Sequence, residues 1–209
     1  MITSQPKTST NFAPAAFKLL SRPAAQKESI QALGERAEKI RAGNVDPHTD
    51  NMLRVTTDGR KLALDQRLMN PLLPDVPENK ATACVEKVFE IWKNTAEAQS
   101  TQLIFSDLAT PGTGEWNIYD DIRNKLIARG IPKEQIAYIH DANTDAKKAT
   151  LFAKMRAGKV RILMGSTKKM GAGTNVQTKL IALHHLDVPW RPSDIEQREG
   201  RILRQGNEN

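Results

Sequence analysis

From residue 79 onward, short apolar runs alternate with helical stripes, and this rhythm restricts the fold more than any other feature. Val85, Val88, Phe89 and Trp92 recur at helical spacing. Residues 102–105 form a short apolar run, read as a buried strand. Ile118, Ile122, Leu126 and Ile127 mark a helix that stops at Gly130. Residues 136–139 read as a strand, and Leu151, Phe152 and Met155 sit on a helix that stops at Gly158. Two further strands fall at 160–164 and 180–184, and a last helix is expected from about Ser193 to Leu203. Strands separated by helices predict an α/β fold, a parallel sheet with helices on both faces. In such sheets the chemistry gathers at the carboxyl ends of the strands.

Residues 1–78 read as a mixed extension ahead of this lobe, which spans 79–209. The first two dozen residues are rich in Thr, Ser, Pro and Ala without periodicity, so they are expected to be partly disordered. Ile30, Leu33, Ala37 and Ile40 predict a helix over 24–42 ended by Gly43. Asp58-Gly59 suits a tight primed turn, which predicts a hairpin over 52–64. Pro71, Pro74 and Pro77 mark 70–78 as a linker.

The chain carries 31 Lys and Arg against 24 Asp and Glu, a formal charge of +7. That fits a phosphate-bearing partner, although a basic surface without a partner fits equally well. The single cysteine, Cys84, excludes an internal disulfide and a cysteine-based zinc site, and its apolar neighbours predict a core position. No apolar run is long enough for a membrane span, and no charged-then-apolar leader opens the chain. The expected setting is soluble and cytoplasmic, with no membrane partner.

The densest chemistry lies in Gln197-Arg198-Glu199-Gly200-Arg201-Ile202-Leu203-Arg204. Ser193 and Glu196 have the spacing of a capping box, which would set the helix start. At about 100° per residue, Gln197, Arg201 and Arg204 share one helix face. Two neighbouring guanidiniums repel unless an anion lies between them, and a triphosphate is such an anion. A solvated helix with its arginines paired to carboxylates satisfies the same pattern. A glycine-rich stretch, Gly165 to Val176, follows the strand at 160–164, and backbone amides in such loops approach phosphates. Trp190, in Asp187-Val188-Pro189-Trp190-Arg191-Pro192, is expected to be a packing residue. His184 and His185 are strand neighbours that point to opposite faces, so no metal site is assigned to them.

Together these runs resemble superfamily 2 helicases. Gln197-x-x-Gly200-Arg201-x-x-Arg204 is similar to motif VI, Ser166-Thr167 with Gly171-x-Gly173-x-Asn175 to motif V of the chromatin-remodelling (Swi/Snf) branch, and residues 102–107 to motif IV. The nearest likeness is to the helicase part of bacterial mobile-element and phage proteins that also carry an adenine-specific DNA methyltransferase. The resemblance covers roughly 79–206 and implies the second RecA-like lobe of an ATP-dependent motor. It implies that Arg201 and Arg204 act as arginine fingers on the γ-phosphate, with Gln197 positioning nucleotide or water. It further implies that Gly171, Gly173 and Asn175 face nucleotide, and that Ser106, Ser166, Thr167 and Lys168 face the DNA backbone. The implied partners are duplex DNA, a first RecA-like lobe in cis or in trans, and a methyltransferase domain.

The sequence contains no Gly-x-x-x-x-Gly-Lys-Ser/Thr loop, and Asp120-Asp121 lies in a helical stretch rather than after an apolar strand. ATP and Mg2+ would therefore be bound mainly by the missing first lobe, and the isolated chain is expected to be inactive. The end at Asn209, directly after motif VI, is expected to be a truncation. Two alternatives remain at this point: a nucleic-acid-binding remnant without motor activity, or part of a methyltransferase–helicase protein.

Overall fold

The computed structural model describes residues 24–112, 116–170, 174–203 and 205–208. Most of the segment expected to be disordered, together with Gly171, Gly173 and Arg204, lies outside the described residues. Among the described residues, four strands form the sheet: β1 (Thr101–Phe105), β2 (Ile136–Tyr138), β3 (Ile162–Gly165) and β4 (Leu180–His185). All neighbours are parallel, in the order β2-β3-β1-β4. Leu103 stands level with Leu163 on one side and Leu183 on the other.

Among the described residues, six α-helices surround or precede the sheet: α1 (Ala24–Arg41), α2 (Met52–Leu64), α3 (Lys80–Asn94), α4 (Ile118–Ala128), α5 (Asp145–Arg156) and α6 (Pro192–Glu199). Strand residues alternate between the two faces, and each face has its own core. Ile104, Ile162 and Met164 pack with Val85, Val88, Ile122 and Leu126 of α3 and α4. Leu103, Phe105 and Leu163 pack with Phe152 and Met155 of α5. Burial on both faces explains why β1 reads as a continuous buried run. Cys84 lies in the first of these cores.

Local chemistry sets the helix ends. Asn79 accepts from the Thr82 amide at 2.7 Å, and Asn117 accepts from the Asp120 amide at 2.9 Å. Gly158 follows α5 at φ +73°, and a Cβ there would stand 2.7 Å from Gln99 Cβ, so both backbone and space require glycine.

The structure corrects the hairpin expected over 52–64, which is helix α2. Asn51 caps it by accepting from the Arg54 amide at 3.1 Å, and Val55, Leu62 and Leu64 are buried. Asp58 pairs with Arg36 of α1 at 2.9 Å, and Gly59 faces Leu33. Burial of one helical face and a cross-helix ion pair thus outweigh the turn preference of Asp-Gly.

The proline-rich stretch 70–78 is laid against the lobe. Arg67 lies 2.7 Å from Asp65, 2.9 Å from Asp75 and 3.0 Å from Asp121, while Lys125 reaches Asp75 at 2.7 Å. Leu64 shares a core with Val85 and Ile122. Among the described residues, no helix is long and apolar enough to cross a membrane.

Candidate functional site

Because the strands are parallel, the carboxyl ends of β1, β3 and β4 open on one edge of the sheet. Ser106 and Asp107 follow β1, Ser166 to Lys168 follow β3, and Leu186 and Asp187 follow β4. A cleft of about 530 Å3 lies there, lined by Asp107, Thr110, Ser166, Thr167, Lys168, Asp194 and Gln197. Four residues singled out in the sequence, Ser166, Thr167, Lys168 and Gln197, therefore share one wall although they come from two distant segments.

The loop after β3 folds into a single turn. The Met170 amide donates to Ser166 O at 2.9 Å, and the Lys169 amide donates to Ser166 Oγ at 3.3 Å. The turn leaves Lys168 and Lys169 exposed and drives Met170 into the core with Phe105 and Leu163. Ser166 itself is buried apart from its edge on the cleft.

Beneath the cleft lies a residue the sequence reading passed over, Arg198, whose side chain is 1% exposed. Its Nη2 donates to Asp107 at 2.7 Å, its Nε donates to Thr167 Oγ1 at 2.9 Å, and its Nη1 donates to Asp187 O at 3.1 Å. Its guanidinium also lies 5.0 Å from the centre of the Phe105 ring. Asp187 Oδ2 in turn accepts from the amides of Asp107 (2.6 Å) and Leu108 (2.9 Å). One buried cation thus ties together three strand ends and α6. The signal was present: Ile195, Arg198 and Ile202 fall at helical spacing in the sequence, and of these Arg198 is buried and Ile202 packs against the core of Leu103 and Phe105. An arginine in such a stripe requires buried carboxylates, here supplied just beyond two strand ends.

Burial and the neighbouring Arg198 lower the His185 imidazole below its ordinary range. Burial, with Asp187 and Asp107 nearby, raises the Tyr119 hydroxyl far above its usual value. That hydroxyl donates to Ser106 O. Ser106 is buried, with Oγ 3.1 Å from Leu108 O and 3.3 Å from Asp187 Oδ2. It braces the floor of the cleft and is not among the lining residues.

The end of the chain differs from expectation. Helix α6 starts at Pro192 with Arg191 in the capping position, so Ser193 and Glu196 do not form the expected capping box. Proline has a preset φ and no amide to satisfy, and it takes the first helical position. The helix ends at Glu199 rather than near Leu203. The Arg201 amide bonds to Arg198 O at 3.3 Å and the Ile202 amide to Glu199 O at 3.1 Å, a tightening to three-residue spacing. Gln197 and Arg201 therefore do not share one exposed face. Gln197 is exposed on the cleft, and Arg201 is 2% exposed. Asn175 is exposed and holds Arg156 through its carbonyl at 2.7 Å, and among the described residues it does not line the cleft.

Trp190 is also a correction. It is 60% exposed rather than packed, on the loop between β4 and α6. Arg60 of α2 lies 5.0 Å from the ring centre and donates to Val188 O at 2.8 Å. His184 and His185 diverge as expected: His184 Nε2 lies 2.9 Å from Gln102 Oε1, while His185 stacks on Phe105. Among the described residues, no group of three or more His, Cys, Asp or Glu side chains could hold a metal ion.

The family model described as "Helicase conserved C-terminal domain" matches residues 85–206. Among solved structures, the chain is similar to the Hef helicase domain of Pyrococcus furiosus, at 14% identity and a TM-score of 0.41. That likeness covers 87% of this chain and 34% of the other. No curated protein matches the chain.

Proposed function

The chain belongs to the helicase conserved C-terminal domain family, and on that premise we propose that it is the second lobe of an ATP-dependent DNA helicase or translocase. Its parallel sheet with helices on both faces is the RecA-like α/β form. In this reading the cleft wall of Ser166, Thr167 and Lys168 meets the DNA backbone. Gln197 and the turn carrying Arg201 face a nucleotide held by a first lobe. The observation that carries the reading is the convergence of the two motif segments, more than 20 residues apart, on one cleft.

ATP and Mg2+ do not fit this chain as a complete site. The sequence lacks a lysine-bearing phosphate loop, and its one acidic pair, Asp120-Asp121, does not follow an apolar strand. What the chain supplies is a polar wall and a guanidinium at Arg201, with the phosphates and the ion left to the other lobe. A methyltransferase domain in the same assembly is a further element of the proposal, resting on the sequence resemblance alone.

The test is DNA-stimulated ATP turnover after the chain is joined to a first lobe with a phosphate loop and an acidic box. Arg201→Ala should lower turnover about a thousandfold with nucleotide binding retained. Normal hydrolysis by that variant would overturn the finger assignment. The chain alone should stay below about one turnover per second.

One observation favours a second reading. Arg201 is buried in the lobe rather than presented at its surface, which suits a nucleic-acid-binding module that needs no finger for a motor partner. That reading predicts salt-dependent DNA binding that is indifferent to nucleotide and to Arg201.

A further inference from the structure

We propose that Arg198 is a positioning residue that couples the 166–168 loop to the turn carrying Arg201, with the Thr167 hydroxyl as the joint. A hydroxyl has one donor and two acceptor sites. Thr167 Oγ1 donates to Asp107 Oδ2 at 2.7 Å and accepts from both Nε and Nη2 of Arg198, so all three sites are used. The Thr167 amide is also committed, to Asp107 Oδ1 at 2.7 Å. A phosphate oxygen cannot bind this hydroxyl without displacing Asp107 or Arg198. On its other side, the Arg198 carbonyl accepts the Arg201 amide at 3.3 Å. The residue therefore holds the loop with its side chain and the Arg201 turn with its backbone. Its other contacts are Asp107, His185, Asp187 just beyond β4 and the Phe105 ring of β1. Of all of them only Thr167 and its partner Asp107 line the cleft, so this pair is what a ligand in the cleft can disturb.

The inference rests on the reading of the cleft as the nucleic-acid side, and it assigns Thr167 a different role from the direct DNA contact expected from the sequence. It predicts that a change at Thr167 is felt at Gly200 and Arg201 only while Arg198 is present.

Native-state amide hydrogen exchange on the full chain tests this. Thr167→Val should speed exchange at Gly200 and Arg201 about tenfold while Leu103 and Ile104 of β1 keep their protection. Thr167→Ser should restore the slow exchange, because it returns the hydroxyl. In an Arg198→Lys background, which keeps the charge and loses the fork, Thr167→Val should add nothing. If the lysine variant does not fold, Arg198→Met combined with Asp107→Asn removes the Arg198–Asp107 ion pair as a unit, while Asp187 keeps the amides of residues 107 and 108 as partners; Thr167→Val is then compared within that background. An equal Thr167→Val effect with and without Arg198 overturns the proposal, as does loss of protection spread evenly over β1 and β3. A second arm adds a short DNA duplex. Arg198→Lys should bind it within about threefold of the unmodified chain, yet lose the DNA-induced change at Gly200 and Arg201. If the unmodified chain binds no duplex while the Thr167–Arg198 dependence holds, the nucleic-acid reading fails and the positioning role stands.

Discussion

Arg198 and Asp107 lie 91 positions apart, yet the guanidinium donates to the carboxylate at 2.7 Å beneath the cleft. The arginine is almost wholly enclosed, and the aspartate retains an edge to solvent. A buried cation of this kind is tolerated only when its donors are matched. Asp107, Thr167 and Asp187 supply that match from three different strand ends.

Asp187 is the less accessible of the two carboxylates, and it accepts two backbone amides besides its weaker 3.4 Å contact with Arg198. Asp187→Ala should lower the unfolding free energy by about 2–4 kcal/mol, because it leaves two amides without their acceptor while Arg198 keeps its ion pair with Asp107. Denaturant titration measures this directly. A loss below about 1 kcal/mol would mean that water enters and replaces the carboxylate.

Gly165 ends β3 where the chain passes beneath Ile139 and Met170. A Cβ there would stand 2.5 Å from Ile139 Cγ2 and 2.7 Å from Met170 Cγ. Gly165→Ala should therefore destabilise the lobe by about 1–3 kcal/mol through overpacking. Thermal unfolding of the single variant and of its combination with Met170→Ala would separate crowding from backbone effects. The double variant should recover part of the loss if crowding is the cause.

His184 on β4 is held neutral by burial, with its pKa lowered from 6.5 to about 4. Its ring Nε2 lies 2.9 Å from Gln102 Oε1, and the Gln102 amide donates to Val88 O at 3.0 Å. The unfolded chain binds this proton more tightly than the folded one. Stability from this residue is thus complete above about pH 6.5 and is lost as pH falls toward 4, by at most about 3 kcal/mol. Unfolding titrations across that window should slope accordingly, and His184→Gln should flatten the slope. An unchanged slope would assign the acid sensitivity to other groups.

Cys84 faces α3's core contacts, and burial pushes its thiol pKa up to about 12. An aromatic disulfide reagent at mildly alkaline pH should leave it unmodified in the folded chain and label it fully in denaturant. Rapid labelling without denaturant would show that α3 opens readily.

Arg60 reaches from α2 to the loop after β4, where it lies over Trp190. Arg60→Ala should make Trp190 emission more sensitive to iodide while changing stability by only about 0.5–1 kcal/mol. A version with Trp92 and Trp116 replaced by phenylalanine isolates the signal. No change in quenching would mean that the arginine does not cover the ring in solution.

The strands and most helices were legible because their determinants are local. Burial on both faces makes β1 a short apolar run, and Gly130 and Gly158 mark stops where the backbone turns to positive φ. Asn79 and Asn117 cap their own helices from one residue away. The same local reasoning failed at Asp58-Gly59. There the turn preference is set against Val55, Leu62 and Leu64, whose burial depends on packing with other elements. It failed at Trp190 as well, since a large aromatic ring carries no local sign that it will end exposed on the loop between β4 and α6.

At the site, the sequence alone determined which strand ends meet. Parallel strands must open at one edge, so the loops after β1, β3 and β4 were bound to lie together once the strand–helix rhythm was read, whereas the approach of Gln197 to residues 166–168 came only with the fold. Which side chains face the cleft was decided only by the tertiary structure. Ser106, Thr167 and Arg198 turn their polar atoms inward, and Arg201 lies buried at the turn where α6 ends. The reason is physical: periodicity and capping act over a few residues, whereas a buried charge takes whatever partners the assembled strand ends provide. Those partners lie 31 and 91 positions away in the chain.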